Sequence, residues 1–252
     1  MIDDIAERVG PMMTTSSTTR ALLLVSAGVS VSCGLSCGKP SGGKGMADAG
    51  RADAGAVATA VAPARGPAAP GEILADLEES KLTLAAIKDR DLILPVVGTV
   101  MLRDGRVTLG GASPSARLSV DLNTYDSRIP LRNERVKKFF FETTGLGWET
   151  AELVIPRLPD AVVASLRDTR KATHAKLDGE LKVHGHTSKL VLVVDAAYES
   201  DGRLTVKTAA PVEVKVSDLG MTDNLKRLSA ICMHDSIDDV VKVEATLEFG
   251  GR

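Results

Sequence analysis

The stretch DGELKVHGHTSKLVLVVD, residues 178–195, predicts two β-strands joined by a tight turn. Leu181 and Val183 alternate with polar residues before the turn, which is the two-residue period of a strand. Gly185 can adopt turn conformations that other residues resist. The apolar run at residues 190–194 then favours a strand that is buried on both faces. This segment therefore predicts a β-hairpin.

Strand patterns recur on both sides of the hairpin. The further predicted strands are residues 81–87, 92–102, 107–109, 116–123, 148–155, 204–216 and 241–249. Gly98 interrupts the second of them, which indicates a bulge or a sharp bend. The tetrapeptide RDGR, residues 103–106, predicts a hairpin turn.

The two late strands show the clearest alternation, with apolar residues on one face and polar residues on the other. This is typical of an antiparallel sheet with a single solvated face. Pro211 fits a bulge or an edge better than a central position. Closing such a sheet into a barrel removes its exposed edges. A two-sheet sandwich would show the same alternation.

Two segments break the β pattern. Residues 127–141 and 159–169 predict short helices, the second beginning near Pro159. We expect this second helix to cover a barrel mouth or an outer wall. The apolar fraction of the chain, 44%, is enough for a substantial core.

Composition argues against nucleic acid as a partner. The formal net charge is -2, and only 3% of the 252 residues are aromatic, so neither a basic surface nor a stacking platform for bases is expected. Any cavity must therefore be lined mainly by Val, Leu, Ile and Ala. Three cysteines are too few for a disulfide framework.

The N-terminal third reads as an export signal and a linker. Residues 1–32 end in the apolar core ALLLVSAGVSVS, and translation is expected to start at Met12 or Met13 because the residues before them are acidic. Residues 33–71 are rich in Gly, Ala and Pro, which predicts a disordered tether. Residues 72–252 form the predicted folded domain.

Cys33, directly after the apolar core and preceded by Ser32, resembles the lipobox cysteine of bacterial lipoproteins. Cys37 is the alternative lipidation site. Neither cysteine is followed by Asp, which in lipoproteins implies sorting to the outer membrane. Simple cleavage with a free N-terminus is the other interpretation. The resemblance implies a lipid-anchored protein on the periplasmic side of the bacterial envelope.

Three motifs in order along the chain resemble the YceI family. They are NERVKKFFF at residues 133–141, the hairpin pattern G-x-L-x-x-H-G-x-T at residues 179–187, and VSDLGMTDN at residues 216–224. The resemblance implies an all-β fold: an antiparallel, lipocalin-like β-barrel with one or two short helices. It also implies an apolar tunnel that holds a polyisoprenoid or a similar amphiphile. The chain is then a binding protein rather than an enzyme.

A basic cluster beside three phenylalanines is the candidate mouth of this tunnel. Cations there could meet a phosphate head while aromatic rings meet its tail. The alternative is a solvated helix face with Phe in the core. The predicted ligand-binding residues are Arg132, Arg135, Phe139, Phe140 and Trp148.

The sequence gives weaker signals for metal binding and for a catalytic nucleophile. His184 and His186 have a spacing that can chelate a metal, although a role for His184 in orienting the turn is the favoured interpretation. A third metal ligand would have to come from His174, His234 or Asp235. Cys232 precedes a histidine closely enough to suggest a nucleophile, but a loop between strands is the favoured interpretation.

We therefore expect no catalytic residue, no metal and no cofactor apart from a bound isoprenoid or other lipid. The alternative function is a ligand-free envelope interaction or stress-response module. The sequence leaves the oligomeric state open, a homodimer included.

Overall fold

The computed structural model describes residues 66–88, 95–144 and 147–250. The predicted signal, Cys33, Cys37 and most of the tether lie outside these residues, and the statements about them stay predictions. Within the described ranges, no helix has the length and apolarity needed to cross a membrane.

The strands form one closed antiparallel sheet. The order is β1-β2-β3-β4-β5-β6-β7-β9-β8, and β9 also pairs with β1, which closes the ring. Both β7 and β8 pair with β9, at successive positions along it, so together they fill one place in an eight-stranded barrel. The strands are β1 Glu72–Lys88, β2 Pro95–Thr108, β3 Ser115–Asp126, β4 Thr150–Ile155, β5 Thr173–Val183, β6 His186–Tyr198, β7 Leu204–Thr208, β8 Val212–Lys215 and β9 Ile237–Phe249. Closure confirms the barrel over the sandwich.

The core lies inside the barrel and follows the two-residue period of the strands. Leu204 on β7 and Phe249 on β9 are 1% and 2% exposed, and they stand opposite each other in the sheet. Each such side chain contributes roughly 1.5–3 kcal/mol by burial. The alternation predicted for residues 204–216 and 241–249 is confirmed. Residues 209–211, which end at Pro211, interrupt the first segment and divide it into β7 and β8.

The hairpin predicted at residues 178–195 is formed by β5 and β6. His184 and Gly185 form its turn, with φ of +52° and +75°, the sign pattern of the type I′ turn that suits twisted strands. Gly179 faces inward, where a Cβ would lie 2.8 Å from Ile155 Cδ1. The prediction that residues 190–194 are buried on both faces was wrong. Val191 is 52% exposed, because the barrel wall is a single layer with a solvated outer face.

The predicted turn at residues 103–106 was also wrong, because β2 continues through it. A Cβ at Gly105 would lie 2.7 Å from Ala75 Cβ, so this glycine permits close approach of β1 and β2. Asp104 and Arg106 flank it and form an ion pair at 2.8 Å.

The irregularity predicted at Gly98 is confirmed. The register of β2 against β3 shifts directly after it. A Cβ at Gly98 would lie 2.6 Å from Tyr125 Cζ, so the missing side chain makes room for the Tyr125 ring.

Both predicted helices are present, and each ends in a π-helical turn. Helix α1 (Pro130–Arg135) continues as the π-turn Val136–Phe140. Helix α2 (Asp160–Val163) continues as the π-turn Ala164–Asp168. We call residues 130–140 the first lid and residues 160–168 the second lid.

A third helix, α3 (Thr222–Cys232), follows the 3₁₀ turn Ser217–Leu219 and was not predicted. Of the loop predicted at residues 232–235, residues 233–235 lie in the connection from this helix to β9, whereas Cys232 is the last residue of the helix. Leu225 and Leu228 are its buried residues, and their three-residue spacing is the weak sequence signal of the helix.

The topology places the two lids at opposite ends of the barrel. The first lid connects β3 to β4, at the end that also carries the β5–β6 turn and α3. The second lid connects β4 to β5, at the end where β1 begins and β9 finishes.

Candidate functional site

A cavity of about 250 Å³ occupies the centre of the barrel. Among the described residues that line it, Thr208 alone is polar, and its hydroxyl accepts a hydrogen bond from the Ala245 N–H at 3.2 Å. The lining includes Leu82, Val100, Ala116, Leu118, Val120, Phe140, Phe141, Ala151, Leu153, Val162, Leu166, Leu177, Leu190, Leu192, Leu204, Thr208, Val212, Leu219, Met221, Val241, Ala245 and Phe249. Such a surface offers a guest hydrophobic and dispersion contacts and no charge.

Small and branched side chains leave this space open. Ala116, Ala151 and Ala245 line the wall where larger residues would meet in the centre. A barrel of about eight strands has an interior that side chains can fill or that can hold one small ligand. The sequence already indicated a lining of Val, Leu, Ile and Ala, and the cavity has it.

Aromatic rings close the cavity at the first lid. Phe140 and Phe141 both line it, with ring centroids 5.0 Å apart. The Tyr125 ring meets Phe141 edge to face at 5.9 Å, a favourable arrangement of aromatic pairs. Burial raises the pKa of the Tyr125 phenol above its ordinary value.

Side-chain hydrogen bonds fix the start of the first lid. The Arg128 N–H donates to Asp126 Oδ1 at 2.7 Å, and Asn133 Nδ2 donates to the same oxygen at 2.8 Å. These two bonds hold the pKa of Asp126 below its ordinary value, the Arg128 bond most strongly. The Asn133 amide oxygen in turn accepts from the Ser127 N–H at 2.8 Å.

Residues from two other elements fix the end of the first lid. Asn224 on α3 donates from Nδ2 to the Phe140 carbonyl at 2.9 Å. His184, in the β5–β6 turn, lies with Nε2 2.5 Å from the Phe141 carbonyl, so this nitrogen carries the proton and donates. His184, which was predicted to orient the turn, therefore also connects the turn to the end of the first lid.

The second lid closes the opposite end with aliphatic side chains. Val162 and Leu166 line the cavity from this lid. Its end is held by local bonds, since the Thr169 N–H donates to the Ala164 carbonyl at 3.3 Å and the Thr169 hydroxyl donates to the Ser165 carbonyl at 3.0 Å.

The five predicted ligand-binding residues all lie at the first lid's end of the barrel. Phe140 borders the cavity, and Phe139 is half-buried under the Lys138 ammonium, 5.3 Å from its ring centroid. Trp148 packs on the His184 ring with centroids 4.4 Å apart. Arg132 is half-exposed, and Arg135 Nη1 lies 3.9 Å from Cys232 Sγ. Their role in binding stays a prediction.

Phe141, which the run of three phenylalanines placed at the mouth but which is not among the five predicted binding residues, lines the cavity at this end, as do Leu219 and Met221, which were not predicted. Leu219 and Met221 belong to the motif at residues 216–224, and Gly220 between them has φ +67°. A Cβ at Gly220 would also lie 2.7 Å from the His186 ring, so the motif packs against the hairpin.

The histidines considered as metal ligands lie in different parts of the barrel. His174 Nδ1 lies 2.7 Å from Asp195 Oδ1, near the end of the hairpin opposite its turn. Among the described residues, no three His, Cys, Asp or Glu side chains are placed to hold a metal ion.

A family model, the YceI-like domain, matches residues 75–249. The chain belongs to the YceI family. This match covers the whole closed barrel from early β1 to the end of β9, and it agrees with the resemblance carried by the three motifs. A search of curated protein sequences finds no significant match.

Solved structures similar to this chain include the three that follow, and the first of them has the same fold. A polyisoprenoid binding domain from Saccharophagus degradans, implicated in plant cell wall breakdown, is 22% identical with a TM-score of 0.62, over 72% of this chain and 99% of that one. BcnA from Burkholderia cenocepacia is 16% identical with a TM-score of 0.48, over 69% and 98%. A YCEI protein from Campylobacter jejuni is 11% identical with a TM-score of 0.40, over 71% and 85%.

Proposed function

We propose that this YceI-family barrel binds a hydrophobic or amphiphilic envelope molecule, an isoprenoid or another lipid, and that it does so without catalysis. The observation that supports this proposal is the cavity of about 250 Å³ whose lining has one hydroxyl and otherwise only apolar side chains. A polar guest would lose its hydrogen bonds to water there without replacement. The polyisoprenoid binding of the Saccharophagus degradans domain supports the same class of ligand.

The size of the cavity suggests how such a ligand is held. About 250 Å³ is somewhat below the roughly 300–1,000 Å³ of typical small-molecule sites. We expect an apolar tail to fill the barrel and a long tail to widen it by displacing a lid. The polar head would then lie outside the lining, near a lid.

The head is proposed to lie at the first lid, beside Arg132 and Arg135. No carboxylate of the described residues forms an ion pair with either guanidinium; Arg132 is available to an anionic head, and Arg135, whose Nη1 lies 3.9 Å from Cys232 Sγ, keeps its other N–H groups for one. Replacing both with Ala should weaken retention of a phosphorylated lipid about tenfold or more and leave the fold intact. Unchanged retention would remove this assignment.

We further propose that the protein works on the periplasmic side of the bacterial envelope, as a lipoprotein anchored to the outer membrane through Cys33, with Cys37 as the alternative. Metabolic labelling with a fatty acid analogue tests this. Labelling that persists in Cys33→Ala and disappears in Cys37→Ala would move the anchor to Cys37. Labelling absent from the unaltered protein would end the lipoprotein proposal.

The decisive experiment is mass spectrometry of an organic extract of the protein purified from its host. We expect a lipid at close to one molecule per barrel. Ala245→Phe fills the cavity, since Ala245 lines it, and should abolish the lipid. Val191→Phe adds the same ring to the outer wall, where Val191 is 52% exposed, and should retain it. Equal lipid in both variants would contradict binding in the cavity.

The alternative of a ligand-free interaction module predicts a solid barrel. The cavity therefore weighs against it. A native mass spectrum that shows only the bare polypeptide, from a host that makes isoprenoid lipids, would favour the alternative.

A further inference from the structure

Exposed apolar side chains are concentrated at the end of the barrel that carries the first lid. Of the large hydrophobic residues exposed within the described ranges, Val191 lies midway along β6, four strands from β2 in the barrel. The others are Val97, Met101, Ile129, Leu131 and Met233.

Four of these residues lie on one side of that end. Val97 and Met101 flank Thr99 on β2, and Thr99 pairs with Asp126 at the end of β3. The chain then passes directly through Ile129 and Leu131 into the first lid. Leu131 is 56% exposed, and no residue of its helix, α1, is buried. Solvation of this patch is unfavourable, and covering it would be favourable.

Cations surround the same patch. Residues 126–142 hold five basic residues and three acidic ones, Asp126, Glu134 and Glu142, of which Glu142 pairs with Arg227, in a chain whose net charge is -2. Arg128 and Lys137 are placed around Asp126, since both lower the pKa of that carboxyl. Lys138 lies over the Phe139 ring. Arg135 points instead to Cys232 on α3.

These cations form no salt bridge within the described ranges, and the carboxylates in the same segment, apart from Glu142, are Asp126, on which Arg128 and Lys137 act, and Glu134. Within the described part of the chain, none of Arg128, Arg132, Lys137 and Lys138 forms an ion pair with a carboxylate. At the other end of the barrel, Arg157 lies 3.5 Å from Asp160 and Arg167 lies 2.6 Å from Asp168. No large hydrophobic residue is exposed on the second lid itself.

We propose that this docking face, formed by Val97, Met101, Ile129 and Leu131 with Arg128, Arg132, Lys137 and Lys138, rests on an anionic phospholipid bilayer. Exposed apolar side chains rimmed by unpaired cations are the combination that binds a membrane interface, where the apolar groups enter and the cations meet lipid phosphates.

This contact is distinct from the proposed N-terminal lipid anchor. It would place the lid that carries Phe140, a cavity-lining residue, against the bilayer. In this respect the inference builds on the proposed carrier function, because it names the surface from which a lipid would enter. The docking itself depends only on the face and can be measured without a ligand.

The test is hydrogen–deuterium exchange of the full chain with vesicles of phosphatidylcholine, with or without phosphatidylglycerol. We expect anionic vesicles to protect residues 127–139 and to leave the β6 segment around Val191 unchanged. Binding through the N-terminal segment alone would not protect the first lid, so that outcome overturns the proposal. Protection that is equal with both kinds of vesicle would also overturn it.

Matched variants separate the two contributions. Leu131→Ser should raise the lipid concentration for half-maximal lid protection severalfold, whereas Val191→Ser, at 52% exposure a close match, should not change it. Lys137→Gln and Lys138→Gln should each raise it about fivefold. If Leu131→Ser instead converts a dimer into a monomer and leaves vesicle protection unchanged, the face joins two copies of the chain and the proposal is wrong.

The lipid extract provides an independent readout on the same protein. A protein that retains its lipid but shows no vesicle protection would contradict docking and leave the carrier function standing. A protein that docks but carries no lipid would contradict the carrier function and leave docking standing.

Discussion

The two lids have nearly the same local design and very different surroundings. Each begins at or directly after a proline, makes about one turn of α-helix and ends in a π-helical turn. The first lid is fixed at its end by Asn224 and His184, which come from distant parts of the chain. The second lid is held at its end by bonds within its own segment, and Arg167 Nη1 also donates to the Leu109 carbonyl at 3.5 Å. A π-turn therefore does not by itself decide whether a lid is firmly held.

The outer surfaces differ as much as the attachments. Arg167, the cation of the second lid, is paired with Asp168, whereas no cation of the first lid forms a salt bridge among the described residues, although Lys137 lowers the pKa of Asp126. Only the first lid exposes a large apolar side chain, Leu131. The first-lid end of the barrel thus exposes a surface suited to contact with a partner, and the second-lid end exposes one suited to contact with water.

The inner surfaces of the lids should matter equally for stability. Phe140→Ala in the first lid and Leu166→Ala in the second should each lower the free energy of unfolding by about 3 kcal/mol, since both side chains are buried against the cavity. Urea denaturation of the two variants measures this. A loss below about 1 kcal/mol for either would mean that this lid does not pack on the barrel as described.

Glycines near the two ends should differ in their tolerance of a methyl group. Gly98→Ala would press on the Tyr125 ring, a rigid group, and should cost about 2 kcal/mol. Gly179→Ala meets the flexible ends of Ile155 and Leu192, at 2.8 and 2.9 Å, and should cost about 1 kcal/mol. Thermal unfolding compares them, and a reversed order would show that the first end is the more adaptable one.

Removal of one side chain should loosen the first lid selectively. Asn224→Ala leaves the Phe140 carbonyl without its donor and should cost about 1 kcal/mol. Thr169→Ala removes an exposed bond at the second lid and should cost less, about 0.5 kcal/mol. Native-state hydrogen exchange at Phe141 and Thr169 reports each lid separately. Faster exchange at Phe141 in both variants would mean that the lids are coupled through the cavity.

The smallest expected effect is a response to acid at the first lid. The folded state holds the pKa of Asp126 below its ordinary value, so the stability it contributes is present above that ordinary value and is lost as pH falls through the folded pKa. Asp126→Asn should therefore lose less stability than the unaltered protein between pH 5 and pH 2. Parallel curves of melting temperature against pH would show that Asp126 does not fix the lid.

The strands were the most predictable part of this protein. Residues 241–249 alternate without a break, and the sheet has one buried face, so the period alone identified β9. The two-residue turn at His184 and Gly185 was predictable because a glycine between two apolar strand patterns is typical of a hairpin turn. The tetrapeptide at residues 103–106 failed as a turn because Asp-Gly serves there for close packing, which depends on Ala75 far away in sequence.

The candidate site was predictable only in kind. The sequence contained Phe140 beside a cluster of cations, and composition indicated an aliphatic lining. It could not assign Leu219 and Met221 to the same cavity, because α3 and the 3₁₀ turn before it reach the barrel end only through tertiary packing. Trp148 was placed with the ligand from its size alone, whereas the structure packs it on His184.

The sequence by itself determined the local elements: alternation produced strands, prolines started the lids, and glycines allowed turns and bends, because each depends on neighbours within a few residues. Tertiary structure decided closure, the empty space and the difference between the ends. Closure requires β1 to meet β9, about 160 residues later. The cavity exists because small side chains from many strands face one another, and no single strand carries that information. The docking face depends on the pairing of β2 with β3, because the end of β3 leads directly into the first lid.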